Sequence, residues 1–393
     1  MAGLFAALSL RHRGWDAQIY ERAGGALANR GAGIATHQPL YDSMRYAGLE
    51  IRDEMGVPSR GRTLLGASGE IVAAVDAPQI MTSWGLIYRF LRDQIPDDIY
   101  HERHALEGVE AASDGLVARF ANGARVEGDW LIAADGARST ARELVSPETV
   151  LAYCGYFIWR GLFPETLVEP AVLEQVALRL TLQMAPGGHW LGYLVAGADD
   201  EMADGSRRYN WGWYRSAEES LFNEYLTDAD GVFHPAGIPH DRVRPQWVAA
   251  LRAEAKDHLA PQAQSIIEAT RNPFLQGVYE VASNRLVFDR VILIGDAAFT
   301  ARPHVGLGVS KAAEDAVALS AALGDTSALE RWESERLAYG QATVDWGRDL
   351  GAYCGPPPPD EARRAVALRH QRPEVLLNET GALHPEPYLA RYL

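Results

Sequence analysis

Asp296 stands at the carboxyl end of an apolar, β-branched run, Val291 to Ile294, immediately after Gly295. Such a run reads as a buried strand. The chain then passes through Arg302-Pro303-His304 to Gly306-Leu307-Gly308, and a helix rich in alanine and charged residues follows from Val309 to about Leu323. Glycines placed just ahead of a helix let a ligand approach bare backbone N–H groups. The helix start adds roughly half a positive charge. This arrangement is suited to an anionic or electron-rich group.

A second constellation runs from Asp129 to Arg142. A strand, Trp130 to Ala134, leads into Asp135-Gly136, and Thr140 with Glu143 has the spacing of a capping box for the next helix. Taken alone, Asp135-Gly136 also reads as an ordinary turn. At the N-terminus, Met1 to Arg13 reads as a helix closed by Gly14. A short strand, Ala17 to Tyr20, then ends at Glu21-Arg22. Glu21 follows Gly3 by about twenty residues, the interval at which a dinucleotide fold places a carboxylate on the adenosine ribose. Gly3 therefore reads as the last glycine of a GxGxxG fingerprint, whose first two glycines and preceding strand are not in this sequence.

Other elements must position these groups. Tyr41 to Met55 reads as helical, behind Arg30-Gly-Ala-Gly-Ile34. Trp84 to Ile95 has helical periodicity and carries Arg89. Three short strands, Val109–Ala112, Leu116–Phe120 and Arg125–Gly128, form a meander with Asp114-Gly115 and Asn122-Gly123 as turns. From about 151 to 285 the texture changes to aromatic, alternating strands, as expected of a half-buried antiparallel sheet. One strand places His189, Leu191 and Tyr193 on one face; another sets Trp211 and Trp213 opposite Asn210 and Tyr214. Pro356 to Pro359 stiffens the approach to a C-terminal segment expected to pack as a helical cap or a dimer element.

The Asp296 segment resembles the GD motif of FAD-dependent aromatic hydroxylases similar to p-hydroxybenzoate hydroxylase. Asp135, Gly136, Ser139 and Arg142 resemble the same family's DGxxSxxR motif. Segments such as Tyr153 to Gly161, Asn210 to Arg215 and Pro273 to Tyr279 are similar to its pyridine-diol branch. The resemblance implies an α/β (α+β) chain: a Rossmann-like FAD-binding domain, an inserted antiparallel-sheet substrate domain and C-terminal helices. The corresponding bounds are 1–150, 151–285, a return to the FAD-binding domain over 286–350, and 351–393. It implies that Asp296 binds the ribityl chain, that Pro303 lies beside the isoalloxazine, and that Gly306, Leu307 and Gly308 face the flavin's N1 and C2=O edge. Gly3, Glu21 and Arg22 would serve the adenosine end, Asp135 the FAD and nicotinamide, and Arg89 the ribityl and phosphate region. Arg89 equally suits a solvated helix face.

The family's reaction is ring hydroxylation with O2 through a C4a-hydroperoxyflavin, with NADH or NADPH as reductant. His304 is the expected base at the ring hydroxyl, with Tyr193, His189 and Gln276 as substrate contacts. Two other readings stay open. Trp211-Gly-Trp213 echoes a flavin halogenase signature, although Tyr214-Arg215 stands where Ile-Pro would. An N-terminally truncated, flavin-free remnant would act as a binding protein instead.

Composition narrows the class. Among 393 residues there are 37 basic and 52 acidic side chains, for a net charge of −15. A chain this acidic is expected to avoid nucleic acid and anionic membranes. At 47% hydrophobic it can bury a large core without a membrane-spanning run. Two cysteines fit a reducing cytoplasm rather than a disulfide scaffold, and no His/Cys spacing suggests a metal. Some relatives dimerise, and a homodimer is compatible with this chain.

Overall fold

The computed structural model describes residues 1–25, 27, 33–51 and 55–393. Its largest element is an eight-stranded sheet centred on Ala152–Pro164. That strand pairs antiparallel with Arg208–Ser216 on one side and Phe274–Ala282 on the other. Gly188–Val195 and then Leu180–Ala185 continue the sheet. Side chains alternate between two faces. Phe157, Trp159, Trp190, Trp211, Trp213 and Leu275 enter one core, which the helices Pro245–His258 and Pro261–Ala269 close. Burying aromatic side chains of this size dominates the energetics of such a layer.

The sheet does not stop at the expected boundary near 151. Arg62–Leu65 pairs in parallel with Leu180–Ala185, and Ile71–Val75 forms the outer edge. Leu64 packs with Leu182 and Leu180 there. An edge of buried strands presents unpaired backbone groups, and these two segments cover it.

The other half of the molecule is built from strands and helices in alternation. Leu131–Ala133 pairs in parallel with Val291–Leu293. Ile19–Tyr20 pairs in parallel with Tyr100–His101. Among the described residues these two ladders are not joined to each other, and both line one large cavity. The helix Ala2–His12 packs on Gly308–Ala322 through Leu4, Phe5 and Ala316, all buried. The meander forms as spaced, over Leu106–Ala112, Gly115–Phe120 and Arg125–Gly128.

Three local expectations shift. The helix expected from Tyr41 runs instead over Gln38–Tyr46, started by Pro39 in its first turn and followed by Gly48 at φ 78°. Residues 52–54 of that expected helix, and residues 30–32 ahead of it, lie outside the described residues. The helix Thr140–Val145 is capped by Ser139, whose hydroxyl accepts the Arg142 N–H, and not by Thr140. Ser139 holds the extended backbone a cap needs.

The C-terminal segment forms the helices Glu361–His370, Pro373–Glu379 and Glu386–Leu389. Leu376 and Leu377 pack beside Tyr193 and Leu64. Arg62, 2% exposed, reaches across from its strand. It donates to the carbonyls of Leu377 (3.0 Å), Thr380 (2.6 Å) and Gly381 and to Gln79 Oε1 (3.1 Å). Among the described residues no helix is long and apolar enough to cross a membrane.

A buried ion-pair network fixes the turn that carries Asp296. Asp315, 3% exposed, accepts from the Gly295 N–H at 3.0 Å, Lys311 Nζ at 2.7 Å and Arg336 Nε at 2.8 Å. Burial alone would raise its pKa, but Lys311 and Arg336 outweigh it and hold the carboxyl below the usual range. A depressed carboxyl pKa contributes stability that is present above the unfolded value of about 4 and is lost as pH falls through the folded one.

Two outcomes follow. Asp315→Asn strands two buried cations and is expected to cost about 3–5 kcal/mol in denaturant melts near neutral pH. The gap should close as pH drops below about 4; a gap that does not depend on pH would place the stabilisation elsewhere. Arg62→Ala should cost about 3 kcal/mol and speed proteolytic cleavage near Pro356–Pro359. Unaltered protease resistance would assign the docking of this segment to Leu376 and Leu377 alone.

Candidate cofactor and substrate site

One cavity of about 1320 Å³ collects nearly all the residues singled out in the sequence. Its lining includes Gly3, Glu21, Arg22, Asp135, Asp296, Pro303, His304, Gly306, Leu307 and Gly308, and from the central sheet Tyr193 and Gln276. Small-molecule sites usually occupy roughly 300–1,000 Å³, so this space suits a dinucleotide together with a second, smaller ligand.

The helix Gly308–Ala322 starts on this cavity with no side-chain cap. Its first regular bond at this end runs from the Lys311 N–H to the Leu307 carbonyl at 2.8 Å. The N–H groups of the first turn are thus left for a ligand. A Cβ built on Gly308 would meet nothing within 4 Å, so the backbone there is open to approach. Gly306 sits at φ 69°, and a Cβ on it would come within 3.0 Å of the Gly381 Cα, so both conformation and space demand glycine. The Asp296 carboxylate faces the cavity; burial pushes its pKa up, and Lys311 opposes that. Glu21 Oε1 accepts the Ala23 N–H at 2.8 Å. A cradle of free backbone donors flanked by carboxylate acceptors fits a group that carries both electron-rich edges and hydroxyls, as FAD does.

The DG segment is tied to this cradle rather than simply facing it. Asp135 accepts from Ser139 Oγ (2.5 Å) and from the Ala141 N–H (3.1 Å), so its carboxylate serves the following helix even though it lines the cavity. Arg142, 1% exposed, donates to the carbonyls of Ala137 (2.7 Å), Thr149 (3.2 Å) and Ala297 (3.0 Å). Through Ala297 it clamps one motif to the other.

Two expected site residues are placed elsewhere. Arg89 does not line the cavity: it pairs with Asp200, at 2.9 Å for the Nε to Oδ2 bond. His189 also lies behind the wall. It is fully buried, its ring is tilted against Tyr214 at 4.5 Å, and its Nδ1 shares a hydrogen bond with Tyr353 Oη at 2.7 Å. His304 does line the cavity but is 1% exposed. Its Nε2 shares a hydrogen bond with Tyr156 Oη at 2.9 Å, and its ring stacks on Tyr214 at 4.3 Å. Burial, reinforced by His189 and Arg302, holds its pKa well below the ordinary imidazole value. His189 is lowered to about 3 by burial.

The structure also gathers groups that no sequence spacing announced. His189, His304 and Cys354 place donor atoms within 4.8 Å of one another, all buried. Burial raises the Cys354 thiol as it lowers the imidazoles, so the cluster is neutral. Arg160 enters the cavity from the central strand, between Ile158 and Leu162 in the same alternation. A lone cation on an otherwise apolar strand face was the available signal. Trp211 and Trp213 occupy the opposite face, where Trp211 Nε1 donates to Thr270 Oγ1 at 2.8 Å. That removes them from the cavity and from any halogenase-like role in it.

Comparisons with known proteins agree with this geometry. A family model described as FAD binding domain-like matches residues 153–280. The chain is 31% identical over 352 residues to 2,6-dihydroxypyridine 3-monooxygenase of Paenarthrobacter nicotinovorans, covering 88% of this chain and 87% of that one. The solved structure of 2,6-dihydroxypyridine-3-hydroxylase from Arthrobacter nicotinovorans superposes with a TM-score of 0.83 at 29% identity, covering 91% of this chain and 93% of that one. Klebsiella pneumoniae HpxO, solved with FAD and uric acid, shares the fold with a TM-score of 0.72 at 22% identity, covering 99% and 92%. The chain belongs to the FAD-dependent aromatic hydroxylases.

Proposed function

We propose that this chain is a single-component monooxygenase that hydroxylates a ring already bearing hydroxyl groups, of the pyridine-diol or phenol type, using NADH or NADPH and O2. The observation that carries the reading is the shared cavity: the uncapped helix start at Gly308 and the aromatic sheet face bearing Tyr193, Tyr214 and Gln276 open onto the same space. Bound FAD, reduced by the nicotinamide, supplies the activated oxygen. Asp296 and the backbone of Gly306 to Gly308 would hold its ribityl and ring portions, with Glu21 at the adenosine end.

The protein's own part is to orient and to keep water out. Ile158, Leu191, Tyr214 and Val278 give the ring an apolar bed. Water exclusion matters because activated oxygen is otherwise released unproductively. Tyr193 is held protonated, its pKa pushed up to about 12 by burial, so its hydroxyl keeps a proton to donate near neutral pH. His304 is held neutral and shares a hydrogen bond with Tyr156, which fits a structural partner rather than a base that gains charge during turnover. The likeness to a 2,6-dihydroxypyridine enzyme makes that diol the first substrate to try.

The test is direct. Protein purified with FAD should retain the visible flavin spectrum, and 2,6-dihydroxypyridine should stimulate NADH or NADPH oxidation with formation of a singly oxygenated product. Retained flavin without any ring-stimulated oxidation would sink the hydroxylase assignment. The pH profile of kcat/KM should also show no inflection belonging to His304 between about 5 and 8. An acid limb near 6.5 that disappears in His304→Gln would restore the imidazole as a working base.

A further inference from the structure

We infer that Arg160 selects the substrate by charge, so that the ring entering this cavity carries an oxyanion or carboxylate held by this guanidinium. The inference rests on the hydroxylase reading for the identity of the ligand as an aromatic ring. It rests on geometry for the charge.

Arg160 projects from the middle strand of the sheet, and the register sets Phe274 on one side of it and Gly212 on the other. Gly212 brings no side chain, and Arg160 and Gly212 both line the cavity wall. Among the described residues the guanidinium makes one hydrogen bond, from Nη1 to Gln276 Oε1 at 2.7 Å. Its Nε is sealed from solvent without a partner. Among the described residues no carboxylate pairs with it, and the titratable groups it senses are the hydroxyls of Tyr193 and Tyr214. Arg302, which also lines the cavity, is matched by Glu280 at 2.9 Å.

The surrounding groups offer no compensation. Burial keeps His304 uncharged and raises Tyr193 and Tyr214 above their ordinary range, so all three stay neutral. Desolvation also lowers the pKa of Arg160 itself, as expected of a guanidinium with no anion beside it. Leaving a desolvated cation unpaired is costly, and in a cleft it marks a site that a ligand completes. The flavin's electron-rich edge would find its own donors at the uncapped helix start at Gly308, whereas Arg160 stands on the sheet face that would form the ring's bed. A guanidinium there stabilises an ionised ring hydroxyl directly, so the ring can be activated without a strongly basic side chain.

The experiment uses FAD-loaded protein and reads binding from perturbation of the flavin spectrum at about pH 8. Two matched pairs serve as probes: 2,6-dihydroxypyridine against 2,6-dimethylpyridine, and benzoate against benzamide. The wild type is expected to prefer the anionic member of at least one pair by about tenfold or more. Arg160→Gln should weaken that anion by about 10- to 100-fold, leaving the neutral probe and the flavin affinity within about threefold. Arg160→Lys, which keeps the charge but not the fork, should fall between the two and serves if the Gln variant does not fold. The assignment is overturned if the wild type shows no preference for the anion, if Arg160→Gln weakens both members of a pair equally, or if the variant loses flavin, which would give Arg160 to the cofactor. Turnover separates this from the hydroxylase reading. Wild-type protein that prefers the anion but oxygenates no ring keeps the role of Arg160 and loses the function. Protein that oxygenates rings without charge preference does the reverse.

Discussion

The period of two along the central sheet is the constraint on which the rest depends. Each strand must send one set of side chains into the tryptophan-rich core and the other toward the cavity. Trp159, Trp190 and Trp213 on one side and Arg160, Leu191 and Gly212 on the other are consecutive or near-consecutive residues with opposite fates. A slip of one residue in the register would bury Arg160 among aromatics and present tryptophans to the ligand. The packing energy of the core therefore fixes the position of the site. The strand pairing Trp159↔Trp213↔Trp190 locks three strands at one level, and the cavity-facing row Arg160, Gly212, Leu191 follows one residue later.

The loops that form the cofactor cradle have no such lattice, and buried cations restrain them instead. Arg142 gathers carbonyls from the DG segment, the GD segment and the loop at Thr149. Lys311 and Arg336 meet on Asp315, which holds the Gly295 N–H. Arg62 gathers carbonyls from the C-terminal segment behind the cavity. Arginine suits this work because its planar fork of donors can serve several acceptors at once. Charge-assisted bonds of this kind are stronger than neutral ones, and they leave the backbone donors at Gly308 uncommitted. The cradle is thus rigid where it is built and open where a ligand must bind.

Much of this was legible in the sequence. Motifs at strand ends marked the cradle, because glycine before a helix has few other uses and β-branched runs announce buried strands. Alternation in the aromatic strands marked which residues share a face, and Leu191 with Tyr193 followed from it. The failures have identifiable causes. Arg62–Leu65 joins its sheet by pairing with Leu180–Ala185, more than a hundred residues on, and pairing across that distance leaves no local pattern. Arg89 sits on a helix, as periodicity indicated, yet its partner Asp200 comes from a distant loop. His189 shares the alternation of Tyr193 but sits one step deeper, behind Tyr214 and Tyr353. Depth beneath a face is a property of the layer above it, and no single strand encodes that layer.

This division also bears on how one fold serves different rings. The cradle is made mostly of backbone, glycine and motif carboxylates, and its restraints run through carbonyls that any sequence provides. The proposed substrate bed consists of side chains that stand on the sheet and line the cavity: Ile158, Arg160, Leu191, Tyr193, Tyr214 and Gln276. Replacing one of these leaves the tryptophan-rich core in place, because the packed tryptophans point the other way. Proteins that share the fold carry names as different as a pyridine-diol hydroxylase and a protein bound to FAD and uric acid. A sheet with one face in the tryptophan-rich core and the other lining the cavity is a physical basis for that range. Among the described residues the Arg160 guanidinium on this face has no carboxylate partner, so under the proposed reading charge and ring shape are both read by the same few residues.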